Sequence, residues 1–83
     1  MTTTYIDVRT PEEFAEGHHP EAINHPVELI ESGTMPNVPV DAHICVYCRS
    51  GGRAGRAKSM MESAGFTDVT NGGGLSDVLT SSH

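Results

Sequence analysis

This chain has little positive charge and no long apolar run. Only five of its 83 residues are Lys or Arg, against eleven Asp or Glu, which gives a formal net charge of -6. Nucleic acids and anionic membranes need a basic partner, so we expect neither as a main binding partner. No stretch approaches the roughly 20 apolar residues of a membrane span, and the N-terminus lacks the apolar region of a signal peptide. We therefore expect a cytoplasmic protein, or a periplasmic one if a signal peptide was removed before Met1.

The chain is also short. Its 83 residues suffice to bury one core but leave no room for a second domain. We expect residues 1–83 to form a single monomeric domain, with residues 79–83 as a disordered tail. Segments typical of strands alternate with segments typical of helices. This order predicts an α/β fold, with a small and mostly parallel sheet flanked by helices on both faces.

Local signals place the elements. Thr10 as N-cap, Pro11 in the first turn and Glu13 as the partner in a capping box predict a helix start, and Gly17 should end that helix. Residues 43–47 give the clearest strand, whose continuous apolar core suggests burial on both faces. The other predicted elements are strands at 4–8, 22–24 and 68–71, helices at 27–32, 54–64 and 75–79, and a glycine turn at 72–74.

The few cations cluster beside one cysteine. Four of the five Lys and Arg residues lie within ten residues after Cys48, and only Arg9 lies elsewhere. Cys48 follows a predicted strand and precedes a predicted helix, so loop N–H groups and the positive end of the helix can converge there on one anion. Such a setting lowers a thiol pKa from about 8.5 to roughly 4–7. The sequence therefore predicts Cys48 as a thiolate nucleophile.

A redox pair is the first alternative for this cysteine. Cys45 and Cys48 have the CxxC spacing, but Cys45 lies within a run of β-branched and aromatic residues and should be a buried strand residue. Residues three apart on a strand point to opposite faces. A disulfide between them is therefore geometrically poor.

Two segments of the sequence nearly match known anion-binding motifs, but neither matches fully. Residues 52–59 differ from the P-loop pattern GxxxxGK[ST] by Ala57 in place of glycine, and the Lys and Ser that follow would lie inside the predicted helix. Cysteine phosphatases use a Cys-x5-Arg loop, whereas Cys48 and Arg53 are separated by four residues. A shorter loop makes a tighter ring of N–H groups, better sized for one sulfur atom than for a tetrahedral oxyanion.

Two further groups of residues have structural interpretations. His18 and His19 are adjacent and cannot both point to one centre from a regular element, and no cysteine or carboxylate cluster has ligand spacing with them. We therefore expect no metal and no cofactor, and a structural hydrogen bond for His18. For Asp7 and Arg9 we expect an ion pair that fixes the first strand and helix.

The order of these motifs resembles the rhodanese family, and most closely its small single-domain thiosulfate sulfurtransferases. The resemblance covers nearly the whole chain. Its segments are Ile6-Asp7-Val8-Arg9 with Glu12-Glu13-Phe14, then Gly17-His18 followed by Ala22-Ile23-Asn24, then the six-residue loop Cys48 to Arg53, and last Gly73-Gly74-Leu75.

The resemblance implies sulfur transfer by double displacement. Cys48 would take the sulfane sulfur of thiosulfate or a similar anionic donor as a persulfide and pass it to cyanide or a small thiol. The implied substrate-binding residues are the rest of the loop, which would act through backbone N–H groups, with the two arginines also drawing in the donor: Arg49, Ser50, Gly51, Gly52 and Arg53. Two other functions stay open, namely a non-catalytic sulfur carrier or docking module, and a cysteine phosphatase or arsenate reductase.

Overall fold

Four strands alternate with four helices in the computed structural model, which describes residues 2–80. In chain order they are β1 (Thr3–Asp7), α1 (Pro11–Glu16), β2 (Ile23–Asn24), α2 (Val27–Glu31), β3 (His43–Cys48), α3 (Gly52–Ser63), β4 (Val69–Gly74) and α4 (Leu75–Thr80).

The strands form one sheet in the order β2-β1-β3-β4, and every pairing in it is parallel. The longest register, between β1 and β3, runs from Thr3 opposite His43 to Asp7 opposite Tyr47. Because the strands are parallel, their carboxyl ends meet at one edge of the sheet, the edge where ligands bind in α/β folds. The predicted α/β fold with a parallel sheet is confirmed, and Cys48 ends β3 at that edge.

Helices cover both faces of the sheet, as predicted, but to different depths. On the first face α2 and α3 enclose a continuous core of buried side chains, namely Ile6, Val8, Val27, Ile30, Ile44, Val46, Cys48, Ala54, Ala57, Met61, Phe66 and Val69. On the second face α4 covers a smaller cluster, whose buried members are Tyr5, Tyr47 and Val78. Most of the apolar burial that stabilises the fold therefore lies on the first face.

The predicted start of α1 is confirmed in detail. The Thr10 hydroxyl accepts a hydrogen bond from the Glu13 N–H at 3.2 Å, and Glu13 Oε1 accepts one from the Thr10 N–H at 3.1 Å. Pro11 occupies the first turn and Gly17 caps the helix end. The helix itself buries no side chain. The conformation of α1 thus depends on local capping. The helix contacts the rest of the molecule through polar groups, such as the Glu13 carboxylate bound by Arg53.

Three predicted boundaries were wrong by two residues or more, and several others by one. α3 begins at Gly52, two residues earlier than predicted, because Gly51 adopts a left-handed conformation (φ +96°) and caps the helix. The segment 72–74 is the end of β4 and not a free turn, because Gly74 pairs with Cys48 after an irregularity in the β3–β4 register. Leu79 and Thr80 belong to α4, although a disordered tail was predicted from residue 79; residues 81–83 lie outside the described part.

No helix in the described part of the chain combines the length and the apolar character that crossing a membrane requires.

Candidate active site

Cys48 lies at the junction of the first core and the carboxyl edge of the sheet. It is the last residue of β3, and only 1% of its surface is exposed. The thiol therefore packs against apolar side chains on its inner side, while the loop that leads into α3 closes over its outer side.

Backbone N–H groups of this loop converge on the sulfur. The Gly51 N–H donates to Sγ at 2.9 Å. Burial raises the pKa of the Cys48 thiol, but hydrogen bonds from the N–H groups of Ala54, Ser50, Gly51 and Arg53 outweigh it, so the pKa lies below its usual value. The loop therefore stabilises the thiolate with neutral backbone groups. The sequence prediction included three of these donors and missed Ala54.

The Gly51 peptide is fixed by two further hydrogen bonds. Its carbonyl oxygen accepts one from the Gly55 N–H at 2.8 Å and one from Asn71 Nδ2 at 3.0 Å. The left-handed conformation of Gly51 turns the chain so that its N–H faces Sγ while its carbonyl faces Asn71. A side chain at this position would be strained by the positive φ.

Asn71 links the loop to β4. Its Oδ1 accepts a hydrogen bond from the Gly73 N–H at 2.9 Å while its Nδ2 donates to Gly51, so both ends of the side-chain amide are used. This role of Asn71 could not be predicted from the sequence, because Asn71 and Gly51 are twenty residues apart and no local pattern indicates that they are in contact.

The glycines at the end of β4 permit close backbone packing. A β-carbon on Gly74 would collide with the backbone carbonyl of Arg49. The Gly74 N–H is instead bound by Asp77 Oδ2 at 2.8 Å. The late glycine segment therefore supports the Cys48 loop from the side, which explains why no larger residue can stand at Gly74.

The two arginines of the loop are in different situations. Arg53 forms a bidentate pair with Glu13, with Nη1 to Oε1 at 2.8 Å and Nη2 to Oε2 at 3.1 Å. Arg49 has 77% of its side chain exposed, and its Nη1 lies 3.9 Å from Glu13 Oε2. The hydrogen bond from Arg53, followed by that from the Thr10 N–H, lowers the pKa of Glu13 to about 2. Glu13 is therefore ionised at neutral pH and offsets charge that the sequence analysis assigned to an incoming anion.

The expected ion pair between Asp7 and Arg9 is present and buried. Arg9 Nη2 donates to Asp7 Oδ2 at 2.6 Å and to the Gly17 carbonyl at 2.7 Å. The guanidinium lies 5.8 Å from the centroid of the Tyr47 ring. Burial raises the pKa of Tyr47 to about 12, and the Tyr47 hydroxyl accepts a hydrogen bond from the His19 N–H. These contacts tie β1 and β3 to the segment after α1, so Arg9 has a structural role beside the loop.

A cavity of about 370 Å³ opens beside the loop, lined by Arg9, Glu13, Glu16, Gly17, Arg49, Leu75 and Ser76. We call it the mouth of the site. A second cavity, of about 290 Å³, lies on the other face of the sheet and is lined in part by Cys45 and Val78. Of these two cavities, the mouth is the one lined by a residue of the Cys48 loop, Arg49.

Cys45 is separated from this site. Its side chain packs with the cluster on the second face, whereas Cys48 belongs to the core of the first face, as the strand geometry predicted. Both thiols are free. Cys45 is half-buried, not fully buried as expected, because the second-face cavity reaches it. Burial raises the pKa of the Cys45 thiol, so this cysteine lacks the activation that Cys48 receives.

The histidines hold local structure. The His18 ring stacks on Phe14, and its Nδ1 lies 2.8 Å from the Phe14 carbonyl oxygen, as expected for a structural hydrogen bond. The His19 ring stacks on Tyr5. Between residues 2 and 80, no three His, Cys, Asp or Glu side chains come together in a group that could bind a metal ion.

The fold and the site define a class of protein: an all-parallel α/β domain in which the backbone N–H groups of a loop lower the pKa of a cysteine thiol. Within that class, residues 2–79 match the model of the Rhodanese-like domain family. The chain belongs to this family, which confirms the resemblance seen in its motifs.

Individual relatives agree with this family. The thiosulfate sulfurtransferase PspE of Escherichia coli is 37% identical over 75 residues, which cover 89% of this chain and 72% of the relative. A sulfurtransferase of Allochromatium vinosum is 38% identical over 66 residues, covering 80% of this chain and 61% of the relative. Among solved structures, a rhodanese with anions from E. coli is 35% identical with a TM-score of 0.80, covering 92% of this chain and 91% of the other. The chain therefore spans less than two thirds of the length of the Allochromatium vinosum relative. It spans a larger share of PspE and of the solved E. coli structure.

Proposed function

We propose that this protein is a thiosulfate sulfurtransferase that works through a persulfide on Cys48. The observation that carries the proposal is the hydrogen bond from the Gly51 N–H to Sγ at 2.9 Å, in a loop whose backbone N–H groups lower the pKa of the Cys48 thiol. Relatives named as thiosulfate sulfurtransferases and sulfurtransferases support the same class of reaction.

In the first step the Cys48 thiolate attacks the outer sulfur of thiosulfate. A bond forms between Sγ and that sulfur, the bond between the two thiosulfate sulfurs breaks, and its electron pair leaves with sulfite. Cys48 is left as a persulfide anion. The N–H groups that stabilise the thiolate remain in place to stabilise the negative charge on the persulfide, so no charged side chain has to move between the two states.

In the second step a nucleophile takes the outer sulfur. Cyanide attacks it, the sulfur–sulfur bond breaks with its electron pair returning to Sγ, and thiocyanate leaves. A small thiol can act in the same way as acceptor. Neither step needs an external oxidant or reductant, because the sulfur atom carries its oxidation state from donor to acceptor.

Mass spectrometry of the intact protein tests the first step. We expect the protein treated with thiosulfate, and freed of excess donor, to gain the mass of one sulfur on the peptide that contains Cys48, and cyanide to remove that mass with release of thiocyanate. Cys48→Ser is the negative control, and Cys45→Ser is the matched positive control. Absence of both the mass gain and thiocyanate in the Cys45→Ser protein would overturn the proposal.

Further assays on the same preparations test the two alternative functions, a sulfur carrier and a phosphatase or arsenate reductase. A sulfur carrier or docking module would gain the sulfur but discharge it slowly to cyanide and quickly to a protein thiol. A cysteine phosphatase or arsenate reductase would hydrolyse an aryl phosphate or reduce arsenate, with loss of that activity in Cys48→Ser. We expect rapid discharge to cyanide and no phosphate hydrolysis above the Cys48→Ser control.

A further inference from the structure

Glu13 forms an ion pair with Arg53, the arginine that ends the Cys48 loop. Both of its carboxylate oxygens are bound by Arg53, and the pair is mostly shielded, with 29% of the Arg53 side chain and 19% of the Glu13 side chain exposed. Arg49, the other cation of the loop, also has Glu13 as its ion-pair partner. The Glu13 carboxylate is therefore the ion-pair partner of both arginines that were expected to bind an anionic donor.

The charges around the mouth are balanced. Arg9, Arg49 and Arg53 supply three positive charges, while Asp7 neutralises Arg9 and Glu13 neutralises Arg53. Glu16 adds another carboxylate to the lining. A dianion that enters this mouth thus meets no excess of positive charge, although the loop sequence alone indicates one.

We propose that Glu13 is a specificity-determining residue, which acts through Arg53 to disfavour doubly charged sulfur donors relative to singly charged ones. This inference rests on the proposed function, because it concerns the donor of the same reaction. The Glu13 side chain binds Thr10 and Arg53 and makes no hydrogen bond to Cys48, so it would act by setting how much of the Arg53 charge the donor experiences.

The effect of Glu13 should scale with donor charge. At the same distance, a dianion has twice the electrostatic interaction energy of a monoanion with one carboxylate. Removing that carboxylate therefore changes the affinity for the dianion by the square of its effect on the monoanion. If a singly charged donor gains about threefold, a doubly charged donor should gain about ninefold.

Glu13→Gln is the appropriate variant because it removes charge and keeps shape. Gln is accepted at the same position of a capping box, so the Thr10 cap is retained, and its amide oxygen can still accept one hydrogen bond from Arg53. Glu12→Gln is the matched control. Glu12 lies next to Glu13 on α1, is exposed, and takes part in none of the ion pairs found within residues 2–80.

The experiment compares two donors on the same preparations. Thiosulfate is the dianion and methanethiosulfonate the monoanion, with cyanide as acceptor and thiocyanate as product. In Glu13→Gln we expect kcat/KM for thiosulfate to rise about ninefold and for methanethiosulfonate about threefold, mainly through lower KM, with both gains shrinking as salt is added. In Glu12→Gln we expect both values to change less than twofold.

The ratio of the two kcat/KM values decides the outcome, because any loss of folded enzyme affects both donors equally. A ratio that stays the same in Glu13→Gln, or moves toward methanethiosulfonate, would overturn the inference. Failure of the proposed function has a different signature, since unmodified protein would then accept sulfur from neither donor.

Discussion

Two cysteines three residues apart on one strand have opposite chemical environments. Cys48 ends β3 against the first-face core, under a loop whose N–H groups bind its sulfur and lower its pKa despite burial. Cys45 faces the second side of the sheet beside a cavity, and burial raises its pKa. The two thiols share residue type and strand, and Cys48 is the more buried of the two. The lower pKa of Cys48 therefore comes from the backbone N–H groups around its sulfur.

The two faces of the sheet also differ, in the number of buried residues that each contains. The first face is closed by α2 and α3 and contains most of the buried residues, whereas the second is closed by α4 over three buried residues and a cavity of about 290 Å³. The larger core of the first face packs against the strand end that carries Cys48. The second face carries less of the stability and none of the loop.

Replacing each thiol in turn should give the largest contrast. We expect Cys48→Ser to reduce thiocyanate formation by on the order of 10³-fold or more, because the nucleophile is lost. Cys45→Ser should keep most of the activity, because its side chain lies on the other face. Thiocyanate assays on both variants, with circular dichroism as the control for folding, test this; equal losses in two folded variants would show that both thiols take part.

Truncating one core residue on each face should separate their contributions to stability. Ile44→Ala in the first-face core should lower the free energy of unfolding by about 2–5 kcal/mol. Val78→Ala on the second face removes two methyl groups beside an existing cavity and should cost about 1.6 kcal/mol.

Urea unfolding measures both losses, and Ile44→Val, with an expected loss of about 0.5–1.5 kcal/mol, serves if Ile44→Ala does not fold. A larger loss for Val78→Ala than for Ile44→Ala would contradict the assignment of most stability to the first face.

Alkylation at different pH values should resolve the two thiols directly. A thiol with a lowered pKa becomes a thiolate at lower pH, so the iodoacetamide rate of Cys48 should have its midpoint below the ordinary value of about 8.5. The midpoint for Cys45, whose pKa is raised, should lie above it. Each is measured in the variant that lacks the other thiol. The midpoint reports ionisation even where access to the sulfur limits the absolute rate, and midpoints in the reverse order would refute the comparison.

Changing the Asn71 amide should perturb one thiol and spare the other. In Asn71→Asp a carboxylate oxygen would face the Gly51 carbonyl where Nδ2 now donates, so we expect the loop to shift and the alkylation midpoint of Cys48 to rise. Asn71→Ala, which removes the hydrogen bond without adding charge, should have a smaller effect. The Cys45 midpoint is the internal control, and a parallel change in it would mean that the whole sheet had been disturbed.

Local and periodic features of this chain could be predicted from sequence. The capping box of α1 uses residues three apart, the apolar run of β3 is continuous, and the thiol at the strand–helix junction follows from the order of segments. The start of α3 was missed because two glycines usually mark a loop, whereas here Gly51 takes the left-handed conformation that begins the helix. The strand character of residues 72–74 depends on pairing with β3.

Two of the contacts that shape the site join residues far apart in the sequence. Glu13 and Arg53 are forty residues apart, and Asn71 and Gly51 are twenty apart. The positive charge available to an anion was overestimated from the sequence, because the carboxylate that the fold brings to Arg53 is forty residues away along the chain. Pairs of this kind depend on the tertiary arrangement and have no signature in a local window.

The near-complete burial of Cys48 has a consequence for the proposed sulfur transfer, because it limits the size of the molecules that could take part. Core side chains block one side of Sγ, so a sulfur atom added to it must project outward, about 2 Å further along the way to solvent. The donor must reach down to the recessed sulfur, whereas the acceptor meets the added atom nearer the surface. Donors are thus expected to be slender, while acceptors can be much bulkier, up to a cysteine on the surface of another folded protein.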